Sequence, residues 1–285
     1  MRTVEHRIFN IGKTMLDRGE VAAWLTDLGV EPGTIETLCS KDTTDAANLV
    51  RLAGKRCYMA WAGDGKFNKN VQKVREDISK YIDHILEVGH GSVIECASYS
   101  FAIEGLTRVA TAELNRHRAG CAISEGSMRF IRFNDLPYWE PDSIRPAPHT
   151  DAMVFDDATK TLETKKLQSR AIFARAFHQA EVAYAELEAL WADELAPDSK
   201  FAAKKQVTSM MRRIVPIGVS TGGVWTFNLR ALRHVCTMRC DESAEEEILS
   251  LANRILEHML TAEVNFFGDF KKNDRGFYAP KHRKV

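Results

Sequence analysis

The spacing of apolar and polar side chains changes period several times along the chain, and each change marks an element. Residues 42–60, DTTDAANLVRLAGKRCYMA, open on Asp and Thr as candidate caps and then set Ala46, Leu49, Leu52, Ala53 and Cys57 at helical spacing, which predicts a helix. A longer helix is expected over 68–88, where Val71, Val74, Ile78, Ile82 and Ile85 form one stripe and Gly89 supplies a stop. From Cys96 the period shortens to two. Ala97, Tyr99, Phe101 and Ile103 alternate with Cys96, Ser98, Ser100, Ala102 and Glu104, which predicts a strand with one larger-residue face. Thr107 is placed to cap the short helix TRVATAELNRHR, and the residues after it, AGCAISEGS, read as a loop of small side chains.

Pro137, Pro141, Pro146 and Pro148 predict a surface excursion over about 133–157. Helical blocks are expected near 158–195 and 200–214, the second ended by Pro216. GVSTGGVWTFN suggests a second strand near 218–228, and LRALRHVCTMR a helix after it. Ser243 with Glu246 three residues on reads as a capping box opening a long amphipathic helix. The tail from Lys271 to Val285 is basic and is expected to fray. No internal repeat is present. The expected architecture is α+β, a single mostly helical domain over residues 1–285 with a small central β-sheet.

Charge and composition narrow the function without naming it. Lys+Arg and Asp+Glu each number 39, so no bulk field draws the protein to nucleic acid or a lipid surface. The 45% hydrophobic and 27% charged content is that of a soluble globular chain. The charged start MRTVEHRIFNIGKTM holds no signal-like apolar stretch, and no membrane-spanning run occurs, so a cytoplasmic protein is expected. The six cysteines form no CxxC pair and are expected to be reduced. His234, Cys236 and Cys240 hint at a metal, but no second ligand pair completes four-coordinate geometry, and the expectation is that no metal is held.

Two basic clusters carry candidate chemistry. Arg116-His117-Arg118 closes a helix, and a loop of small residues then leads to Arg129; guanidinium groups beside a glycine-containing loop suit phosphate oxygens. The same cations would also serve merely to complement a helix macrodipole. The second cluster is Arg212, Arg213, Asn228, Arg230, Arg233, His234 and Arg239; in a helix Arg230 and His234 share a face, an arrangement equally consistent with a solvated basic surface. His90, in GHGSVIE, reads either as a catalytic base or as a helix-end hydrogen bonder, with the structural role favoured.

The segments HGSVIECASYSFAIEG, RHR, SMRF, RRIVP and NLRALRHVCTMRCDE, in that order, resemble the flavin-dependent thymidylate synthases over about residues 89–133 and 209–250. The resemblance implies a homotetramer binding FAD where subunits meet. It further implies that the methylene of 5,10-methylenetetrahydrofolate is transferred to C5 of dUMP and reduced with flavin hydride supplied by NADPH. Carried over by position, Ser92, Glu95, Arg116, His117, Arg118, Asn228, Arg230 and His234 would lie along the flavin. Glu113, Arg116, Glu125, Gly126, Ser127, Arg129, Arg212 and Arg239 would surround the nucleotide, with Ser127 and Arg239 as the catalytic pair. Arg239 matches the arginine that faces the pyrimidine carbonyls, and Ser127 and Arg129 would hold the phosphate.

The sequence departs from the family pattern in places. Eight residues, 119–126, separate Arg118 from Ser127, one more than is usual. Cys121 stands where serine is common, Glu113 where glutamine is usual, Phe130 replaces tyrosine, His234 a common asparagine, and Ser243 a frequent flavin-stacking histidine. The altered loop lies where the base is read, so C5 chemistry on dCMP (methylation or hydroxymethylation) is a second reading, and an inactive flavin- or RNA-binding relative a third. Cys121 also raises the alternative of a thiol nucleophile adding to C6.

Overall fold

A computed structural model describes residues 2–133, 135–145 and 162–284. Eight strands occur among them: β1 (Arg2–Val4), β2 (Arg7–Lys13), β3 (Ser98–Thr107), β4 (Cys121–Glu125), β5 (Pro137–Trp139), β6 (Ser220–Asn228), β7 (Phe270–Lys272) and β8 (Tyr278–Pro280). β2, β3, β6 and β4 form a four-stranded sheet in the order β2-β3-β6-β4, and the remaining strands pair as β1-β5 and β7-β8. With helices making up most of the rest, the architecture is α+β, as expected.

The chain forms two compact units. The first comprises Met1–Arg7, Ile103–Arg116 and Ser124–Val224. Its core includes Leu136, Tyr138, Phe177 and Val219, with Tyr138 stacked on Phe177 at 4.8 Å between ring centroids. A neighbouring cluster gathers Tyr184, Leu195, Val207 and Met211 from the helices Leu162–Leu190, Ala192–Leu195 and Phe201–Met211. Of the proline-rich stretch expected to be a surface excursion, residues 146–161 lie outside the described residues. Residues 137–139 form β5, parallel to β1 with Thr3 opposite Tyr138, and Leu136, Tyr138 and Trp139 are buried. Prolines flag the turns in that stretch but say nothing of a partner strand more than 130 residues away.

The second unit comprises Ile8–Ala102, His117–Ile123 and Trp225–Val285. Thr44 caps the helix Asp45–Tyr58 by accepting from the Ala47 N–H at 3.1 Å, and Leu52 packs with Leu16, Leu25, Val30, Leu38 and Trp61. The helix expected over 68–88 covers only Ile78–Val88. Asp77 caps it, accepting from Lys80 N at 2.8 Å, while upstream Asp64 and Asn68 accept from backbone N–H groups two residues on. These local bonds compete with helix and win over the apolar stripe. Gly89 ends the helix in the left-handed region at φ 74°, the stop read from the sequence.

The proposed capping box also shifts. The helix Glu246–Ala262 is capped by Glu245, whose carboxylate accepts from Glu247 N and Ile248 N at 2.9 and 3.2 Å, while Ser243 donates to Asp241. A carboxylate next to the helix positive end does the same work as a serine. The tail is pinned at 281–282: Lys281 N bonds the Asp269 carbonyl at 3.1 Å, and the His282 ring bonds Asp83 at 2.8 Å.

Candidate active site

In the first unit, Thr107 Oγ1 accepts from Ala110 N and caps the helix Arg108–Leu114. Arg108, its first residue, stands where the macrodipole disfavours a cation. Its position is explained by what it holds. Its guanidinium donates to Glu125 Oε1 and, at 2.7 Å, to the Gly126 carbonyl, while Asn115 Nδ2 donates to Glu125 Oε2 at 2.9 Å. Glu125, expected at the nucleotide, thus has both oxygens engaged and braces the loop. The small-residue segment read as a loop is in fact β4 over Cys121–Glu125; its alternation of half-buried and exposed positions is masked by side chains of similar size.

Past β4 the backbone must come close to β6. The Gly126 N–H bonds the Gly222 carbonyl at 2.8 Å, and a Cβ at Gly126 would lie 2.7 Å from Thr221 Oγ1, so a side chain is excluded there. Glu125 and Gly126 line a cleft of about 740 Å³ together with Glu104, Ser124, Ser220 and Thr221. Ser127 then sets a turn, its carbonyl accepting from Phe130 N at 3.0 Å and Ile131 N at 3.1 Å. The turn places Arg129 in a second cleft, of about 450 Å³, with Lys205 and Arg213. Phe130 stacks on Phe201 at 5.7 Å beside it, with Lys205 Nζ 5.6 Å from the Phe130 centroid. Three cations at one cleft, with Gln206 and Ser209 as further polar groups, have the donor chemistry that suits an oxyanion. The arginine lining it is Arg213, named from the sequence in the second basic cluster but not among the nucleotide contacts, where Arg212 stood; Lys205 was not expected. Arg116 and Glu113 meet through the backbone, Arg116 N donating to the Glu113 carbonyl at 3.2 Å.

In the second unit, β6 ends on Asn228, which caps the helix Leu229–Arg239 by accepting from Ala231 N at 2.8 Å. Gly120 has φ 70°, its carbonyl accepts from Asn228 N at 2.8 Å, and a Cβ there would sit 2.4 Å from Asn228 Nδ2. Glycine alone meets both demands, and the close approach carries the His117–Ile123 segment onto the start of that helix. Arg239, at the helix's far end, donates from Nε to His117 Nε2 at 3.0 Å. An arginine only donates, so His117 is the neutral tautomer with its proton on Nδ1. The His234 ring meets His117 edge-on at 5.6 Å. Arg230 donates to Glu95 at 2.6 Å and lies against Gly91, where a Cβ would be 2.6 Å from Arg230 Nε. Ser92 shares this corner, its carbonyl accepting from Glu95 N at 3.4 Å, and Arg118 O accepts from Cys121 N at 3.3 Å. His90 stacks with Tyr58 at 6.3 Å and provides no side-chain cap to the helix that begins at Gly91.

Arg233 leaves the basic cluster altogether: it is buried and forked onto Asp269 at 2.7 and 3.1 Å. Cys236 and Cys240 are buried against one another, and both that hydrogen bond and burial push the Cys240 thiol up. Among the described residues no cluster of His, Cys, Asp and Glu is placed to hold a metal.

The family description "Thymidylate synthase complementing protein" matches residues 39–262. A flavin-dependent thymidylate synthase of Mycolicibacterium gilvum is 34% identical over 232 residues, covering 81% of this chain and 82% of its own. The chain belongs to the flavin-dependent thymidylate synthase family. A second member, from Mycolicibacterium vanbaalenii, is also 34% identical with the same coverage. The fold agrees: a crystal structure of the UMP/dUMP methylase PolB from Streptomyces cacaoi bound with 5-Br UMP superposes with a TM-score of 0.57 at 15% identity, over 93% of this chain and 92% of that one.

Family membership sharpens the question of Cys121. Burial pushes its thiol up to about 11. At neutral pH that leaves roughly one part in ten thousand as thiolate, the only nucleophilic form. With its Sγ 3.8 Å from the Ala122 carbonyl, Cys121 is a packing element of β4. No helix among the described residues is long and apolar enough to cross a membrane.

Proposed function

We propose that this protein is a flavin-dependent thymidylate synthase that methylates dUMP at C5, with FAD as cofactor and 5,10-methylenetetrahydrofolate and NADPH as co-substrates, working as a cytoplasmic homotetramer. The observation that carries the reading is the hydrogen bond from Arg239 to His117, which joins two segments of the family signature 122 residues apart. The polar groups fit a flavin: Arg230 and Glu95 stay half-exposed although they bond each other, and Gly91 and Gly120 keep the backbone beside them bare. Ser92, Glu95, Arg116, His117, Arg118, Asn228, Arg230 and His234 would hold it. When bound, the cofactor supplies the hydride that reduces the transferred methylene to a methyl.

The protein's part is charge and orientation. C5 of uracil is a feeble nucleophile, and removal of the N3 proton makes it a better one. Arg239, its guanidinium steered by His117, stabilises the negative charge that then spreads over the pyrimidine carbonyls. No enzymic nucleophile is required, consistent with the state of Cys121. Arg129 holds the phosphate in its cationic cleft, so that binding energy remote from the reacting carbon fixes the ring. C5 gains a carbon and loses its hydrogen as a proton.

That lost hydrogen is the assay. With C5-tritiated substrate, methylenetetrahydrofolate and NADPH, tritium release from dUMP and none from dCMP is expected. Release from dCMP alone reassigns the base, and release from neither refutes the activity. Arg129→Ala should weaken dUMP binding by about 1.5–3 kcal/mol, roughly 10- to 150-fold in Kd. An unchanged Kd by calorimetry removes Arg129 from the phosphate.

A further inference from the structure

We infer that Ser220 contacts the substrate: with the phosphate held at Arg129, the Ser220 hydroxyl hydrogen-bonds the sugar or base of the pyrimidine nucleotide in the cleft that Glu125 and Gly126 line. This rests on the reading of the reaction given above and adds a residue to it that neither motif contains.

Ser220 opens β6, is 4% exposed, and lines the 740 Å³ cleft. Its Oγ is buried without a hydrogen-bond partner. Several other hydroxyls do have partners. Ser100 and Thr226 bond each other at 2.7 Å across β3 and β6, Thr107 caps a helix, and Thr208 bonds the Lys204 carbonyl at 2.8 Å. The remaining buried atoms without partners belong to Arg51, Trp61, Arg233 and Asn253, none of which lines this cleft. An unsatisfied buried hydroxyl is costly to the folded chain, and a native structure retains one where something else satisfies it.

The wall around Ser220 is built to admit a ligand. A Cβ at Gly222 would fall 2.1 Å from Glu104 Oε2, and one at Gly126 would fall 2.7 Å from Thr221 Oγ1. At Gly126 the Gly222 carbonyl also stands 3.1 Å from such a Cβ, so that position is held to glycine and bare backbone lines the cleft there, while the Glu104 carboxylate covers Gly222. A serine hydroxyl both donates and accepts, and its single χ1 lets it turn onto a ligand without backbone movement. A pyrimidine nucleoside monophosphate offers carbonyl acceptors, an N3–H donor and sugar hydroxyls, any of which satisfies it.

The test is Ser220→Ala in the full-length, flavin-loaded protein, titrated calorimetrically with dUMP and with UMP, alongside a thermal melt of the nucleotide-free form. Since the Ser220 hydroxyl bonds no protein atom, the melting midpoint should stay level or rise. The Kd for dUMP should rise about 5- to 30-fold. Equal losses with both nucleotides assign the bond to a group they share; a larger loss with UMP assigns it to the sugar. Wild-type affinity for both nucleotides in the variant overturns the contact while leaving the reaction intact, as does a fall in midpoint with unchanged Kd. Failure of the wild-type protein to bind either nucleotide overturns the functional reading, and this contact with it.

Discussion

Arg239→Ala should retain bound flavin, visible in its absorbance, while kcat falls about 10²- to 10³-fold, the scale on which a fixed charge-stabilising donor acts. The side chain does not stand alone. His117 accepts from its Nε at 3.0 Å, which helps to fix the plane of the guanidinium. His117→Leu should therefore repeat much of the loss, and adding it to Arg239→Ala should cost little more, because two residues acting through one contact are not additive. His117→Gln, which restores an acceptor, should recover part of the activity. Full turnover in Arg239→Ala, or strict additivity in the double variant, excludes the arrangement. Flavin content must be measured in each variant, since His117 is also assigned to the cofactor.

The second large effect is on stability. Arg233 and Asp269 have side chains only 2% and 9% exposed, and the pair also gathers the His282 carbonyl and N–H, both at 3.1 Å. The guanidinium carbon lies 5.0 Å from the Phe270 ring centroid. Burial alone pushes the Asp269 carboxyl up, but its bonds to Arg233, the arginine's charge and the His282 N–H outweigh this and hold it below the usual range. Arg233→Met strands a buried carboxylate, and a loss of about 3–5 kcal/mol in unfolding free energy is expected. Arg233→Met with Asp269→Leu removes both charges and should recover much of it. Equal stability of the single and double variants contradicts this account. Because the folded Asp269 pKa is depressed, the pair's contribution is present above the ordinary aspartate value near ~3.9 and is lost as pH falls through the lower, folded one.

Arg233 also shows where reading the chain stops. In the sequence it stands among Arg230, His234 and Arg239 as one more cation on a helix, and only the fold distinguishes this buried, ion-paired member from the others. The helices at 45–58 and 229–239 and the strands β3 and β6 were legible because period, caps and glycine stops agree locally. β2 was not: in RIFNIGK most positions are exposed, as befits an edge strand, and alternation there carries no burial signal. The family was legible in the ordered motifs, whereas the helical pattern of the basic clusters alone does not tell a solvated face from a site. Arg108 left one clue, a cation at the start of a helix where the dipole repels it. Lys205 left none, since a lysine on a polar helix is ordinary. Arg212 and Arg213 are adjacent, and choosing between them requires knowing which way the 3₁₀ turn at 212–214 faces.

The strand character of Cys121–Glu125 bears on how this protein varies among its kin. Inside a paired strand a single added or deleted residue reverses which side chains face which way, and would turn Glu125 off Arg108. A shorter spacer therefore cannot arise by loss from the middle of β4 without rewriting its neighbours. Ala119, ahead of both the strand and the close approach at Gly120, is the position where a residue can be added or removed at least cost.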